Sequence, residues 1–309
     1  MNSPLVTIGI PAFKGKHFED ALKCWKMQTY ANFGVFVQDD CSPDDLRSIF
    51  NSVCGGDPRF HFERNETPTA PNFVDNWMKT LHKANGEYFV LGSDDDLYEP
   101  DFLERMVELA ERHPDVDMLD ARHDFIGEAG VVTAAPEMKE METQIEWLHA
   151  VVCEKRNAIA QSVMCRTAAL RAIGGFVNLP AAWGGCDWLT WAKLAVKGVA
   201  NSSKVLMHWR ADGGNTTSSA NAYWVGQKLQ AVKRSRPRWG ELVDGLRPVN
   251  DDEARAVAEI RERAVRNFFR WMQLCTVDEL PRDEYHTELL SAYRHGDIGL
   301  WKLCRRWFR

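Results

Sequence analysis

Five short, largely apolar runs, Val6–Ile10, Val35–Gln38, Phe60–Phe62, Tyr88–Leu91 and Val116–Leu119, punctuate the first 120 residues of this chain. Runs of this length without strict polar alternation suit strands covered on both faces, the condition of a parallel sheet between helices. Between them, apolar residues recur at helical spacing: Phe18, Ala21, Leu22 and Trp25; Phe73, Trp77, Leu81 and Ala84; Phe102, Leu103, Met106, Val107 and Ala110. Each set forms one buried helix face. Strand and helix in alternation predict an α/β fold, Rossmann-like, with a mostly parallel central sheet flanked by helices.

The pattern then changes. Residues 121–185 are less periodic, with Gly127, Gly130 and Pro136 predicting loops ahead of a helix near Glu142–Val152. Gly174-Gly175 and Gly184-Gly185 bracket a further loop. Helical spacing returns over Asp187–Lys197, and Lys204–Trp209 reads as a strand that leads into the polar, mobile-looking run Asp212–Ser219. From Tyr223 onward the chain is charged and helix-periodic, with no strand signal. The expected organisation is therefore a main unit over 1–222, divided into halves 1–120 and 121–222, and an α-helical C-terminal extension over 223–309.

Charge and cysteine content narrow the function classes. A net charge of -6 over 309 residues gives no global positive field for nucleic acid, so any phosphate-bearing ligand must be held locally. No window approaches the roughly 18 apolar residues of a membrane span, and residues 1–5 carry no leader pattern, so a cytoplasmic location is expected. Eight cysteines without a Cys-x-x-Cys pair argue against a zinc site or a disulfide framework.

The chemistry concentrates at strand ends. Asp39-Asp40 follows the second apolar run, and Ser93-Asp94-Asp95-Asp96 follows the fourth. In parallel α/β sheets the ligand crevice lies beyond the carboxyl ends of the strands. Asp39-Asp40 alone could be a turn or a helix cap. Three adjacent carboxylates repel one another, and a turn needs only one, so Mg2+ or Mn2+ is expected there, shared with the phosphates of a nucleotide-activated substrate.

Five motifs in order over residues 6–106 give this reading a family. Val6-Thr7-Ile8-Gly9-Ile10-Pro11-Ala12-Phe13 resembles the opening strand of the family 2 type glycosyltransferases with the GT-A fold. Met27-Gln28-Thr29-Tyr30 is similar to their QTY helix end, Phe36–Ser42 to their V-x-DD-x-S element, Ala84-Asn85-Gly86-Glu87-Tyr88 to A-x-GEY, and Ser93–Asp96 with Pro100 to their acidic metal loop. The likeness weakens toward residue 218 and stops beyond it. It implies a metal-dependent, inverting transferase of the kind that builds bacterial surface polysaccharides and O-antigens. A sugar would move from a nucleotide-sugar donor to a saccharide or lipid-linked saccharide acceptor.

The resemblance also implies roles. Pro11, Ala12 and Phe13 would floor the nucleotide site, and Asp40 would accept from the uracil of a UDP-sugar. Asp95 would hold the metal with Asp96 in support, and Asp94 and Asp96 would reach the ribose or the sugar. Asn72 and Asn76 stand where relatives often carry a base-binding Arg or Lys, and Ser93 stands where many carry a first Asp. Asp187, in Gly184-Gly185-Cys186-Asp187-Trp188, matches the carboxylate that relatives place as catalytic base at the start of a late helix after a Gly-Gly-Phe turn, with Cys186 replacing the usual Glu; its other reading is a helix N-cap. Arg210 matches a loop that closes over the donor, and His208 or Asp212 would complete the metal shell. Trp183 and Trp188 are candidates for acceptor stacking, although Trp188 and Trp191, three apart on one helix, also suit core packing.

The end of the chain, Gly299–Arg309, sets Lys302, Arg305, Arg306 and Arg309 among Leu300, Trp301, Leu303, Trp307 and Phe308. That pattern suits peripheral contact with the inner membrane as well as a solvated helix cap. Two other functions stay open. A sugar-1-phosphate nucleotidyltransferase would need a basic, glycine-rich phosphate loop after the first strand, where this chain has Pro11-Ala12-Phe13-Lys14-Gly15-Lys16. A non-catalytic carbohydrate-binding relative would not need Asp95 or Asp187.

Overall fold

The computed structural model describes residues 3–153, 155–179, 185–211 and 222–263. The chain runs β1 (Val6–Ala12), α1 (Phe18–Lys26), β2 (Phe33–Asp39), α2 (Leu46–Cys54), β3 (Phe60–Arg64), α3 (Phe73–Lys83), β4 (Tyr88–Leu91), β5 (Leu97–Tyr98) and α4 (Phe102–Arg112). It continues through β6 (Met118–Gly127), β7 (Gly130–Thr133), β8 (Met141–Glu142), α5 (Gln144–Val152), β9 (Val163–Arg166), α6 (Thr167–Ala172), α7 (Cys186–Leu194), β10 (Val199–Arg210), α8 (Ala222–Gly245) and α9 (Asp251–Glu262). Among the described residues no helix is long and apolar enough to cross a membrane. The predicted loop Asp212–Ser219, Trp183, and the segment Gly299–Arg309 lie outside the described residues.

One sheet has the order β3-β2-β1-β4-β9-β6-β10-β5, with β7 paired to β6 and β8 to β10. Its first four strands are parallel, as the apolar runs predict. Beyond β4 the sheet is mixed: β9 is antiparallel to both β4 and β6, and β6 and β10 are again parallel. The run Val116–Leu119 therefore leads into a strand that does not pair with β4. The four residues of β9 come between, from a stretch whose sequence shows no strand pattern. The expected division at residue 120 falls inside β6, and one sheet carries both halves.

Apolar side chains pack on both faces of this sheet. On one, Val6, Ile8 and Ile10 meet Phe18, Leu22 and Trp25 of α1 and Phe102 and Met106 of α4. On the other, Phe89 and Leu91 join Val74 and Leu81 of α3, Leu189 and Trp191 of α7, Trp239 and Val243 of α8, and Ile260 of α9. The described part of the C-terminal region is helical, as predicted, and it is packed into this second core.

β1 lies between β2 and β4, so the chain winds outward through β2 and β3 and then crosses back over β1 through α3. Strand order reverses at this point, which opens a crevice beyond the ends of β1 and β4. The crossing is tight. A methyl group on Gly9 would lie 2.5 Å from Thr80 Cβ and 3.0 Å from a ring carbon of Phe89, all of them buried. Gly9→Ala is expected to lower stability by about 1–3 kcal/mol through this overpacking, read as a reduced urea midpoint with an unchanged slope.

Candidate active site

Parallel register brings the carboxyl ends of the strands level: Ala12 pairs with Asp39, and Gly9 with Leu91, immediately before the acidic loop. A cavity of about 320 Å³ opens there, lined by Pro11, Ala12, Phe13, Lys14, Asp40, Phe73, Asn76, Trp77, Gly92 to Asp96, Ile159 to Gln161, Cys186, Asp187 and Trp209.

The three acidic residues of the loop have different tasks. Asp94 Oδ2 accepts from the backbone amides of Phe13 (2.6 Å) and Lys14 (2.7 Å), which ties the loop to the end of β1. Asp96 accepts from the Ser93 hydroxyl at 2.6 Å and from the Arg210 amide at 2.9 Å, and it is 1% exposed. Ser93 thus serves as an internal donor, and Asp96 anchors the loop with both oxygens engaged. The open carboxylate is Asp95; among the described residues its charged neighbour is Lys14, 3.7 Å away. Arg210 clasps this loop from the end of β10, its Nε donating to the Asp95 carbonyl at 2.9 Å. His208, a candidate for the metal shell, instead pairs with Glu99 at 2.8 Å.

Burial dominates the electrostatics. It pushes the Asp94 carboxyl up to about 6 and that of Asp96 up to about 8, and repulsion from Asp95 adds to both. The donor set is all oxygen, and it combines mutual repulsion with one carboxylate, Asp95, that is not hydrogen-bonded into the scaffold among the described residues. It fits a hard divalent cation such as Mg2+ or Mn2+.

On the nucleotide side, Asp39 and Asp40 separate. Asp39 is structural: it accepts from the Ser42 amide at 2.8 Å and pairs with Arg64 at 2.5 Å. Asp40 lines the cavity, but its Oδ1 accepts from Asn65 Nδ2 (2.6 Å) and the Thr69 amide (2.8 Å), and its Oδ2 from the Thr69 hydroxyl (2.7 Å). Asn76 continues this network, donating to the Gln38 carbonyl and accepting from Asn65, while Lys79 donates to Asn65 Oδ1 at 2.6 Å. Asn72 stands at the N-cap position of α3, where its side chain makes no cap hydrogen bond, and it does not line the cavity.

Asp187 forms another part of the wall. Gly185, in the left-handed region at φ 75°, turns the chain into α7, and this sets Asp187 in the first helical turn. A helix N-terminus favours the charged form of a carboxylate. Burial outweighs it and pushes this carboxyl up to about 6; Oδ1 accepts from the Trp188 amide at 2.9 Å. Trp188 does not line the cavity, and its indole donates to the Ala158 carbonyl at 3.0 Å; Trp191 is fully buried in the core. The aromatic residues that line the cavity are Phe13, expected from the sequence, and Phe73, Trp77 and Trp209, which were not. Lys14, Asn65 and Thr69 were also missed. Only Lys14 had a visible signal, in the basic run after β1.

This architecture is that of a GT-A glycosyltransferase. It superposes on Staphylococcus aureus TarS residues 1–349 in complex with UDP-GlcNAc with a TM-score of 0.68, at 16% identity over 95% of this chain and 88% of that one. A mannosyltransferase from Pyrobaculum calidifontis, solved with GDP-Man and Mn2+, gives 0.57 at 15% identity over 96% and 77%. The profile of glycosyl transferase family 2 matches residues 7–166, and the chain belongs to that family. An uncharacterised Sinorhizobium fredii protein, y4gI, is 24% identical over 72% of this chain and 24% of its own length. Bacillus subtilis TuaG, provisionally named for teichuronic acid biosynthesis, is 28% identical over 34% and 41%. The chain thus spans between about a quarter and two fifths of the length of these two curated relatives.

Proposed function

We propose that the chain moves a sugar from a nucleoside diphosphate sugar, UDP being the favoured nucleotide, to a hydroxyl of a saccharide acceptor in bacterial polysaccharide synthesis, with inversion. Residues 1–222 would form the catalytic unit. The observation that carries the reading is the meeting of two chemistries in one cavity: the loop Asp94–Asp96 beyond β4, and Asp187, whose carboxyl is tuned to about 6, at the start of α7.

In this reading Phe13 and the Asp40 network position the base, with the imide of uracil taking the remaining Oδ2 lone pair of Asp40. Lys14 lies against the diphosphate. Asp95, with Asp94 beside it, would hold Mg2+ or Mn2+, which would neutralise charge on the departing nucleoside diphosphate. Asp96, Ser93 and Arg210 keep the loop in shape. Phe73, Trp77 and Trp209 offer flat apolar faces to sugar rings. Asp187 takes the proton from the acceptor hydroxyl as that oxygen attacks the anomeric carbon, and a single displacement inverts the centre.

The nucleotidyltransferase alternative is disfavoured by one contact. The Phe13 and Lys14 amides, which a phosphate-cradling loop would turn toward its ligand, are bound to Asp94.

The pH profile follows from the sign of the Asp187 shift. The base works only when ionised, so at saturating Mn2+ kcat/KM should rise about tenfold per pH unit up to about 6 and level off above it. Measuring nucleotide release from a donor panel between pH 4.5 and 8.5 tests this; a rate that increases as pH falls below 6 contradicts a carboxylate base.

A further inference from the structure

Away from the cavity, three metal-ligating side chains of different chemistry converge where α5 meets α9. His149 and Cys153 are four residues apart, one helical turn, at the end of α5, and Glu259 reaches them from α9. His149 Nε2 lies 2.8 Å from Glu259 Oε2, and Cys153 Sγ lies 3.9 Å from the same oxygen. All three ligand atoms lie within 4.8 Å of one another.

We propose that His149, Cys153 and Glu259 form a second metal site, selective for Zn2+ or a similar borderline transition ion, that staples α9 to the catalytic core. Ligands on a tetrahedral zinc lie about 3.2–3.6 Å apart, given bonds of about 2.0–2.3 Å, so adjustments of side-chain torsions complete the site. A water fills the fourth position. The donor set separates this site from the acidic loop: thiolate and imidazole select Zn2+ over Mg2+, whereas the oxygen-only loop suits Mg2+ or Mn2+. Two further features fit. Cys153 is the C-cap of α5, where the helix dipole favours a cation. The ligands also lie 110 residues apart in sequence, so a bound ion would close a long loop and constrain the unfolded chain.

The proton balance is explicit. Without metal, the Lys155 ammonium donates to His149 Nδ1 at 3.3 Å, so Nε2 carries the proton and donates to Glu259. Binding sends the thiol proton to solvent and moves the imidazole proton to Nδ1. Lys155, an exposed residue, must then swing out. Lys155 is therefore a competitor for the metal. Arg263, whose Nη1 donates to the Cys153 carbonyl at 3.5 Å, is a second nearby positive charge.

Cobalt titration of the full-length, metal-stripped protein tests the site, because a thiolate-to-cobalt charge-transfer band reports the sulfur ligand directly. One equivalent of Co2+ should produce the band, and Zn2+ should abolish it while a hundredfold excess of Mg2+ should not. Cys153→Ser should lose the band and retain the wild-type circular dichroism spectrum. Lys155→Met should tighten cobalt binding several-fold, whereas Asp95→Ala should leave it unchanged. Absence of the band in the wild type, or its persistence in Cys153→Ser, overturns the proposal.

Discussion

Asp187→Asn is expected to lower kcat about 10²- to 10⁴-fold while leaving nucleotide-sugar affinity within about twofold of the wild type. The two side chains have the same shape, and the amide oxygen can still accept from the Trp188 backbone as the carboxylate does at 2.9 Å. What is lost is the ability to take a proton from the acceptor hydroxyl. The competing view, that Asp187 only caps α7, predicts nearly full turnover with a stability cost of no more than about 1 kcal/mol.

The electrostatics separate the two views a second time. Burial raises the Asp187 carboxyl from 3.8 to about 6, so the folded state binds this proton more tightly than the unfolded chain does. Its contribution to stability is present below the unfolded value and is lost as pH rises through about 6. Asp187→Asn removes a charge that the fold tolerates poorly. The variant should therefore be more stable than the wild type at pH 7.5 and no more stable at pH 3.5, measured by urea unfolding at the two pH values.

The second large effect is expected at Asp95. Asp94 and Asp96 are bound into the scaffold through the Phe13, Lys14 and Arg210 amides and the Ser93 hydroxyl, so removing either would disturb the loop. Asp95 lacks such anchors among the described residues and pairs only loosely with Lys14. Asp95→Ala should thus preserve the fold, reduce turnover at least about a hundredfold through loss of several kcal/mol of charge stabilisation, and abolish the Mn2+ dependence of nucleotide binding. Asp96→Ala should behave differently, losing thermal stability along with activity because it removes both acceptors that tie the loop to the Ser93 hydroxyl and to β10. Equal metal dependence in wild type and Asp95→Ala would move the cation elsewhere in the cavity.

These contrasts show what a sequence can carry. That the acidic loop, Asp40 and Asp187 share one cavity was legible because carboxylates at strand ends or at a helix start stand out, and neighbouring residues mark those places. Asn65, Thr69 and Trp77 were not, because their relevance arises only when α3 and the loop before it fold back over the end of β2. β9 was invisible for a related reason. Four residues flanked by irregular chain have no period of their own, and pairing with β4 and β6 makes them a strand. The cysteines show the same limit from another side: spacing along the chain gives no sign that His149 and Cys153 come together with Glu259, 110 residues beyond His149. Trp188 went the other way, since its helical spacing suited either role and the Ala158 carbonyl claims its indole.

The central claim, a metal-dependent nucleotide-sugar site between the acidic loop and Asp187, is most directly tested by thermal unfolding of the wild type and Asp95→Ala with UDP, in the presence and absence of Mn2+. At a concentration 100 times its dissociation constant, UDP with Mn2+ should stabilise the wild type by about 2.7 kcal/mol, with little effect when the metal is chelated and none in Asp95→Ala. Failure of every nucleoside diphosphate to raise the wild-type melting temperature, with or without Mn2+, would contradict it.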